Sequence, residues 1–331
     1  MKASVRHKYC SPSETQILEY LKPIPKPGEV LIKVIATTVN RTDVGVLTGK
    51  PYAIRLFSGL DKPRIPITGT DFAGVVEEVG SEVQAFKPGD RVWGFNDNGA
   101  GTHAEYVCFP DKGGILRIPD GVDFQEMVAC AEAAHYAVNF INKVDLRPGM
   151  EVLVNGGTGA IGSAAIQILK AMNIEVTTVC FEKDVEKVKN LGPDRVIALD
   201  REDFTKENKA YDFVFDAVGK SRFPKVKPIL KPHGTYISSE LGPNWENIWL
   251  ALFAPLLGPK KVIFPIPSEI LSSMTTIQNL VIEGKFKPLI DEQSFELTQI
   301  REAFEYVASG KKTGNVILKI QQVNDVEKAV D

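Results

Sequence analysis

EVLVNGGTGAIGSAAIQILKAMN (151–173) decides the fold. Its opening, EVLVNG (151–156), is a short apolar run that reads as a strand, and AIGSAAIQILKAMN (160–173) reads as a helix. Between them Gly157-Thr158-Gly159-Ala160-Ile161-Gly162 matches G-x-G-x-x-G. Such a match is weak alone and gains meaning from a strand before it and an apolar helix after it. The glycines permit a tight turn and close approach of the backbone to a pyrophosphate, and the helix amino terminus offers unpaired N–H groups at the positive end of its dipole. The competing reading is a Gly-rich turn that only packs a helix on a strand.

Moving outward, the alternation continues. IEVTTVCF (174–181), RVIAL (195–199), YDFVFDAVG (211–219) and GTYISS (234–239) read as strands, and DVEKVKNLG (184–192) as a helix ended by Gly192. Strands alternating with helices at this spacing imply βαβ units and a parallel sheet. Upstream, DFQEMVACAEAAHYAVNFINKV (123–144) reads as a helix stopped by RPGM (147–150). The first 125 residues differ in texture. EVLIKVIATTVN (29–40), GTDFAGVVEEVG (69–80), DRVWGF (90–95) and HAEYVCF (103–109) are strand-like and broken by Pro and Gly, as in a small β-barrel. After about residue 265, SEILSSMTTIQNLVIEGKF (268–286) and LTQIREAFEYVASG (297–310) read as helices, NVILKI (315–320) as a last strand, and QQVNDVEKAVD as a helical or frayed tail.

The chain has 331 residues, enough for two domains at about 150 residues each. With 44% hydrophobic and 24% charged residues it is neither disordered nor collagen-like. A net charge of −3 argues against nucleic acid as a partner. The most apolar stretch, Trp245 to Pro267, is interrupted by Glu246, Lys260, Lys261 and prolines, so no membrane span is read there. MKASVRHKYC at the amino terminus has no apolar h-region. Cys10, Cys108, Cys130 and Cys180 form no CxxC pair and read as reduced thiols, so a cytoplasmic location is expected.

Two further stretches bear on a dinucleotide. After the second strand of the alternating region comes Val179-Cys180-Phe181-Glu182-Lys183-Asp184. An acid there holds the ribose 2′-OH of NAD, whereas a basic group meets the 2′-phosphate of NADP. Lys183 favours NADPH. Glu182 argues for NADH, the less favoured cofactor, and Lys183 as a solvated helix-start residue stays open. Asp216-Ala217-Val218-Gly219 ends another strand, at the carboxyl edge where ligands bind such sheets.

GEVLIKV (28–34), NRTD (40–43), GTDFAGVVEEVG (69–80), KPGDRVWG (87–94), HAEYV (103–107), NGGTGAIGSAAIQ (155–167), FDAVG (215–219) and KTGNVIL (312–318), in this order, resemble the medium-chain dehydrogenase/reductase superfamily over nearly the whole chain. The set looks most like the zinc-independent quinone oxidoreductase-like branch. The resemblance implies an α/β protein with a GroES-like β-barrel domain, built from 1–124 and 266–331, and an inserted Rossmann domain with a doubly wound parallel sheet over 125–265. It also implies a homodimer, with the strand Val262–Pro265 pairing with its copy. The apolar WLALFAPLL (249–257) reads as a lid or dimer surface.

Zinc is where the chain departs from the alcohol dehydrogenases it resembles. Asn40 stands where they carry a Cys ligand, and Gly69-Thr70-Asp71 replaces their G-H-E, so Thr70 stands for the His ligand. An amide and a hydroxyl are poor zinc ligands, and Cys130 and His135 are read as packing residues, so no metal is expected.

By the same resemblance, Asn40 and Thr70 lie beside the nicotinamide and donate to a substrate oxygen. Asp43 orients Asn40 or the ribose, or merely caps a helix. Tyr52, in the loop GKPYAIRLFSGL (49–60), is a candidate proton donor, with Arg55 and Phe57 beside it to hold a planar substrate. His135 is a second proton-donor candidate, with a packing role as the alternative. Cofactor contacts are expected from Gly157, Thr158, Gly159, Ala160, Ile161, Gly162, Lys183, Ala217, Val218 and Gly219, then from Ser238, Ser239, Leu241 and Asn315.

The function this implies is an NADPH-dependent, zinc-independent oxidoreductase that reduces quinones or α,β-unsaturated (enone) carbonyl compounds by direct hydride transfer. The alternatives are a zinc-less alcohol dehydrogenase-like protein and a non-catalytic NADPH-binding or interaction protein.

Overall fold

The computed structural model describes residues 1–321 except Ser239, Ala254, Pro255 and Leu257. The expectations for Ser239 and for the tail 322–331 lie outside the described residues. The chain forms two compact units. The first comprises Met1–Glu132, Ile270–Gln278 and the described residues from Ile290 onward; the second comprises Ala133–Glu269 and Asn279–Leu289.

The second unit is built on a six-stranded sheet in which every neighbouring pair is parallel. Its strands in chain order are Glu151–Asn155, Glu175–Cys180, Arg195–Ala198, Tyr211–Asp216, Leu230–Ser238 and Lys261–Ile263. In space they run 3-2-1-4-5-6, the order of a doubly wound dinucleotide-binding sheet. Val152, Leu153 and Val154 are all buried, as both faces of a parallel sheet require. The helix Ala160–Ala171 buries Ala164, Ala165, Ile166, Ile168 and Leu169. Val179, Ile197, Val214, Tyr236 and Val262 continue the core. Each such aliphatic side chain removed from water stabilises the fold by about 1.5–3 kcal/mol.

The first unit holds a seven-stranded, mainly antiparallel sheet. Its long central strand, Glu29–Val39, pairs with Asp71–Val79, Tyr106–Pro110 and Val316–Lys319. One strand serving three partners lets the sheet curl into a barrel. Val30, Ile32, Val34, Phe72, Val76 and Phe109 fill its interior, with the Phe72 and Phe109 rings edge-on at 5.0 Å. A second core packs Phe304 and Val307 of the helix Ile300–Ala308 with Val39, Leu47 and Leu318.

The helix expected over 123–144 is two helices, Phe124–Val128 and Glu132–Asn142. Between them the Cys130 and Ala131 amides bond three residues back, to Met127 and Val128, so the first helix tightens and stops. Among the described residues no helix is long and apolar enough to cross a membrane.

Candidate active site

In the first unit the spacing of NRTD builds a reciprocal cap. Asn40 Oδ1 accepts from Asp43 N at 2.7 Å, and Asp43 Oδ2 accepts from Asn40 N at 3.1 Å. This starts the helix Arg41–Thr48. The cap turns the Asn40 amide toward Thr70, and Nδ2 donates to Thr70 Oγ1 at 3.0 Å. Asn40 and Thr70, 30 residues apart, are therefore in direct contact.

Around this pair lies a buried polar cluster. Asp71 accepts from Thr38 N at 2.7 Å, from Thr38 Oγ1 at 2.5 Å and from Thr37 Oγ1 at 2.9 Å. Burial raises its carboxyl to about 6 against these bonds. His103 Nε2 lies 2.9 Å from the Thr38 carbonyl, which can only accept, so Nε2 carries the hydrogen. Its Nδ1 lies 2.8 Å from Thr68 Oγ1. Burial lowers His103 to about 4, so it is neutral at physiological pH. Glu132 accepts from Thr42 Oγ1, and burial raises its carboxyl to about 8. Burial, with Asp71 and Glu132 nearby, holds Asp43 well above the usual carboxylate range. Asp43 Oδ1 is buried and without a hydrogen-bond partner. Asp43 and Thr70 line a cavity of about 450 Å³, with Phe57 and Ile65 among its apolar walls.

The 49–60 loop buries Gly49, Ser58 and Gly59 and exposes several of its larger side chains. Tyr52 is 68% and Phe57 65% exposed. The Arg55 guanidinium sits 5.0 Å from the Tyr52 ring and 4.4 Å from the Tyr9 ring. Asn315 is buried, and its carbonyl accepts from Asp291 N at 2.8 Å.

In the second unit the Gly-rich turn is locked by its own backbone. Gly156 and Gly157 both donate to the Val179 carbonyl, at 3.1 and 2.9 Å, and Gly159 donates to Gly156 at 3.0 Å. A side chain at Gly162 would overlap the Gly156 carbonyl, and one at Gly157 would overlap Thr178 Oγ1. Gly159 caps the helix with no side chain. Thr158, Ala160 and Ile161 complete the turn, half-buried. The cradle fits a dinucleotide pyrophosphate, whose oxygens would take the helix-end N–H groups.

Lys183 stands in the short turn Glu182–Asp184. Glu182 is paired with Arg201 at 2.7 Å, and its amide donates to Asp200 Oδ1 at 2.8 Å. Asp216 organises the turn after its strand. Its Oδ1 accepts from Asn155 Nδ2 at 2.9 Å and Gly219 N at 3.0 Å; its Oδ2 accepts from Ser221 N at 3.0 Å and Tyr236 OH at 2.9 Å. The Ala217 amide donates to Asn155, and Val218 packs where a Gly156 side chain would stand. The Leu241 carbonyl accepts from Asn247 N at 3.0 Å. His135, on the helix Glu132–Asn142, is fully buried, and burial lowers it to about 4. Asn139 Nδ2 donates to its carbonyl at 2.9 Å.

The first unit thus brings Asn40, Asp43 and Thr70 together, and the second collects the glycines, Ala217, Val218 and Gly219. Sequence reasoning did not single out His103, Glu132 or the carboxylates of Asp71 and Asp216 for a role. Signals existed for three of them. Asp71 opens the apolar run FAGVV, Asp216 closes FVF, and Glu132 stands alone in ACAEAA. His103 carries none, because its partners come from distant strands.

The model of the alcohol dehydrogenase GroES-like domain family matches residues 26–120, and that of the zinc-binding dehydrogenase family matches residues 191–318. The chain is 31% identical over 313 residues to a chloroplast envelope quinone oxidoreductase homolog of Arabidopsis thaliana, covering 90% of this chain and 91% of that one. It is 30% identical over 307 residues to a 2-methylene-furan-3-one reductase of Solanum lycopersicum, covering 89% of this chain and 73% of the relative. The solved quinone oxidoreductase from Coxiella burnetii has the same fold, with a TM-score of 0.86, 24% identity, and coverage of 97% of this chain and 99% of that one.

The zinc in the second family's description does not fit the residues present. The Asn40 amide donates to the Thr70 hydroxyl, and neither group is a thiolate, imidazole or carboxylate. Among the described residues no cluster of three His, Cys, Asp or Glu is arranged to hold a metal ion. Family matches, full-length relatives and the paired sheets agree: the chain belongs to the medium-chain dehydrogenase/reductase superfamily, in its quinone-oxidoreductase-like branch.

Proposed function

We propose that this chain reduces quinones or α,β-unsaturated carbonyl compounds with NADPH, by direct hydride transfer and without zinc. The observation that carries this reading is the Asn40–Thr70 hydrogen bond at the place where the zinc enzymes of the superfamily hold their metal. Without a Lewis acid, the substrate must itself spread the negative charge that develops on its oxygen, as conjugated carbonyls and quinones do. The names of the two relatives, one a quinone oxidoreductase homolog and one a reductase of a methylene-furanone, cover these two classes.

When bound, the dihydronicotinamide supplies the hydride. The protein supplies orientation and hydrogen bonds. The cradle from Gly157 to Gly162 takes the pyrophosphate, and Ala217, Val218, Gly219, Leu241 and Asn315 are assigned to the rest of the cofactor. Thr70 accepts the Asn40 hydrogen, and its own hydrogen, which bonds Asp43 in the free protein, can turn to a substrate oxygen in the cavity it lines. A preorganised donor of this kind is worth about 10²–10³ in rate. An enone also needs a proton on carbon, delivered by Tyr52, His135 or water. A quinone takes its protons from solvent.

Preference for NADPH rests on Lys183 and on the Glu182–Arg201 pair, which neutralises the acid that would otherwise favour NADH. A homodimer is supported by the open edge strand Lys261–Ile263 and by the helix Glu246–Phe253, which exposes Trp249, Leu252 and Phe253. Four unpaired thiols support a reducing compartment such as the cytoplasm.

The test is the initial rate of NADPH and NADH oxidation with 1,4-benzoquinone, 9,10-phenanthrenequinone and short 2-alkenals, after chelator treatment. Chelator-insensitive turnover that favours NADPH is expected. Tight NADPH binding without turnover on any acceptor would replace this reading with a binding protein, and chelator-sensitive alcohol oxidation would replace it with an alcohol dehydrogenase.

A further inference from the structure

Arg6 follows the strand Lys2–Val5, and its amide donates to Pro66 O at 2.8 Å, which turns its side chain inward. It is 6% exposed and lines the same cavity as Asp43 and Thr70. A buried guanidinium is normally matched by a carboxylate. Here Nη1 donates to the Val46 carbonyl and the Tyr9 ring lies 5.6 Å away, but no described carboxylate is within ion-pair distance. Nε is buried and has no hydrogen-bond partner among the described residues. Burial lowers Arg6 only to about 10, so it stays charged at neutral pH. Asp43, the acid on the same cavity wall, is raised well above the usual carboxylate range by burial and makes no ion pair with it. Arg64 at the rim adds a second positive group. An unmatched cation with an unused N–H, on the wall of a cavity large enough for a small molecule, needs an anion.

We propose that Arg6 is a specificity-determining residue that binds a carboxylate on the substrate, so that the favoured acceptors are enones or quinones carrying an acidic group. This rests on the reductase reading above and names the substrate class within it. Phe57 and Ile65 would enclose the apolar part of such a molecule, and Arg6 would fix its acidic end.

The test compares (E)-4-oxopent-2-enoic acid with its methyl ester. Either is reduced when hydride adds to the carbon β to the ketone and a solvent proton reaches the neighbouring carbon, giving the 4-oxopentanoyl product and NADP⁺. In the wild-type protein kcat/KM for the acid should exceed that for the ester by about ten-fold or more, since charge-assisted bonds are about twice as strong as neutral ones. R6Q should collapse that ratio toward one, mainly through KM, and R6K should retain part of it. A wild-type ratio at or below one overturns the proposal without any variant, as does a ratio that R6Q leaves unchanged. Binding of 4-oxopentanoate, which cannot accept hydride, is measured by calorimetry on wild type and R6Q. Loss of its binding in R6Q with no turnover of any acceptor would sink the reductase reading and keep the carboxylate site. Absence of binding to the wild type alongside turnover of the ester would do the reverse.

Discussion

Asp216 offers the sharpest test of how the cofactor cradle is held. The carboxylate is fully buried and accepts hydrogen bonds from Asn155, Gly219, Ser221 and Tyr236, with a longer fifth from Val218 N at 3.4 Å. In D216N the amide oxygen can keep the place of Oδ1 and its bonds to Asn155 and Gly219. The amide nitrogen then faces the Ser221 N–H and the Tyr236 hydroxyl. The hydroxyl can turn, because it also lies 3.2 Å from the Ser221 carbonyl. The Ser221 N–H cannot, and orphaning it costs about 1–3 kcal/mol. With the charge lost from the two retained bonds, the total is about 2–4 kcal/mol. D216A orphans all the donors and exceeds that range, whereas Y236F removes one bond and costs about 1 kcal/mol. Urea unfolding followed by far-UV circular dichroism should rank the variants wild type, Y236F, D216N, D216A, and NADPH affinity should fall in the same order because Gly219 is held by the same carboxylate. If D216N unfolds with the wild-type midpoint and binds NADPH equally well, the carboxylate does not organise this turn and the reasoning fails.

G162A should weaken NADPH binding at least ten-fold, measured by cofactor fluorescence, since its methyl group would overlap the Gly156 carbonyl; unchanged affinity would mean that the turn yields at no cost. Reversing charge at the ribose end, K183E with R201E, should lower the NADPH-to-NADH ratio of kcat/KM at least ten-fold; an unchanged ratio would remove Lys183 and Arg201 from cofactor choice. Glu132 sits near 8 when folded against an ordinary 4.5, so the native state holds a proton that the unfolded chain releases, and stability falls as pH rises between those values. His103 and His135, near 4 against 6.5, act with the opposite sign, but their contribution is complete above pH 6.5. From pH 6.5 to 8 Glu132 should therefore cost about 1 kcal/mol of stability per pH unit in urea unfolding, and E132Q should reduce the slope, any remainder being that of Asp43, which burial raises in the same direction; an equal slope in the variant would assign it elsewhere. Replacing exposed Trp249 and Leu252 by Glu should convert a dimer to a monomer in sedimentation; an unchanged mass would place any dimer contact on another face.

Much of the second unit is legible in the sequence because its signals are local. A strand, a Gly-rich turn and an apolar helix follow one another within 23 residues, and the four strands read at 174–239 recur in the structure with ends moved by a few residues. The single helix read over 123–144 shows the limit of periodicity. Apolar and small residues run on through Ala129, Cys130 and Ala131, so nothing in the pattern marks the break, which hydrogen-bond geometry sets. The first unit's cluster is legible only where residues lie close along the chain. The Asn40–Asp43 box has the three-residue spacing of a cap, whereas the Thr70, His103 and Glu132 contacts join segments 30 to 90 residues apart.

That cluster also explains why its charge is so unevenly spread. Three acids, Asp43, Asp71 and Glu132, are withdrawn from water within one network, and burial raises all three. Asp71, near 6, sits below Glu132 because three Thr donors bond its oxygens, and donors to the charged form offset desolvation. Glu132 has a single hydroxyl and Asp43 an oxygen with no partner, so less offsets the desolvation that raises them. The neutral His103 adds no positive charge. Of the three, only Asp43 lines the cavity that Arg6 also lines. A site serving only the fold would be expected to join Arg6 to one of these acids, since a buried pair costs less than two isolated ions. The structure keeps them apart, leaving Asp43 Oδ1 and Arg6 Nε both unused beside the same space. Unmet donor and acceptor capacity on one cavity wall is the chemistry of a binding site, and it makes the acid-to-ester ratio, more than the overall rate, the quantity in which Arg6 would be seen.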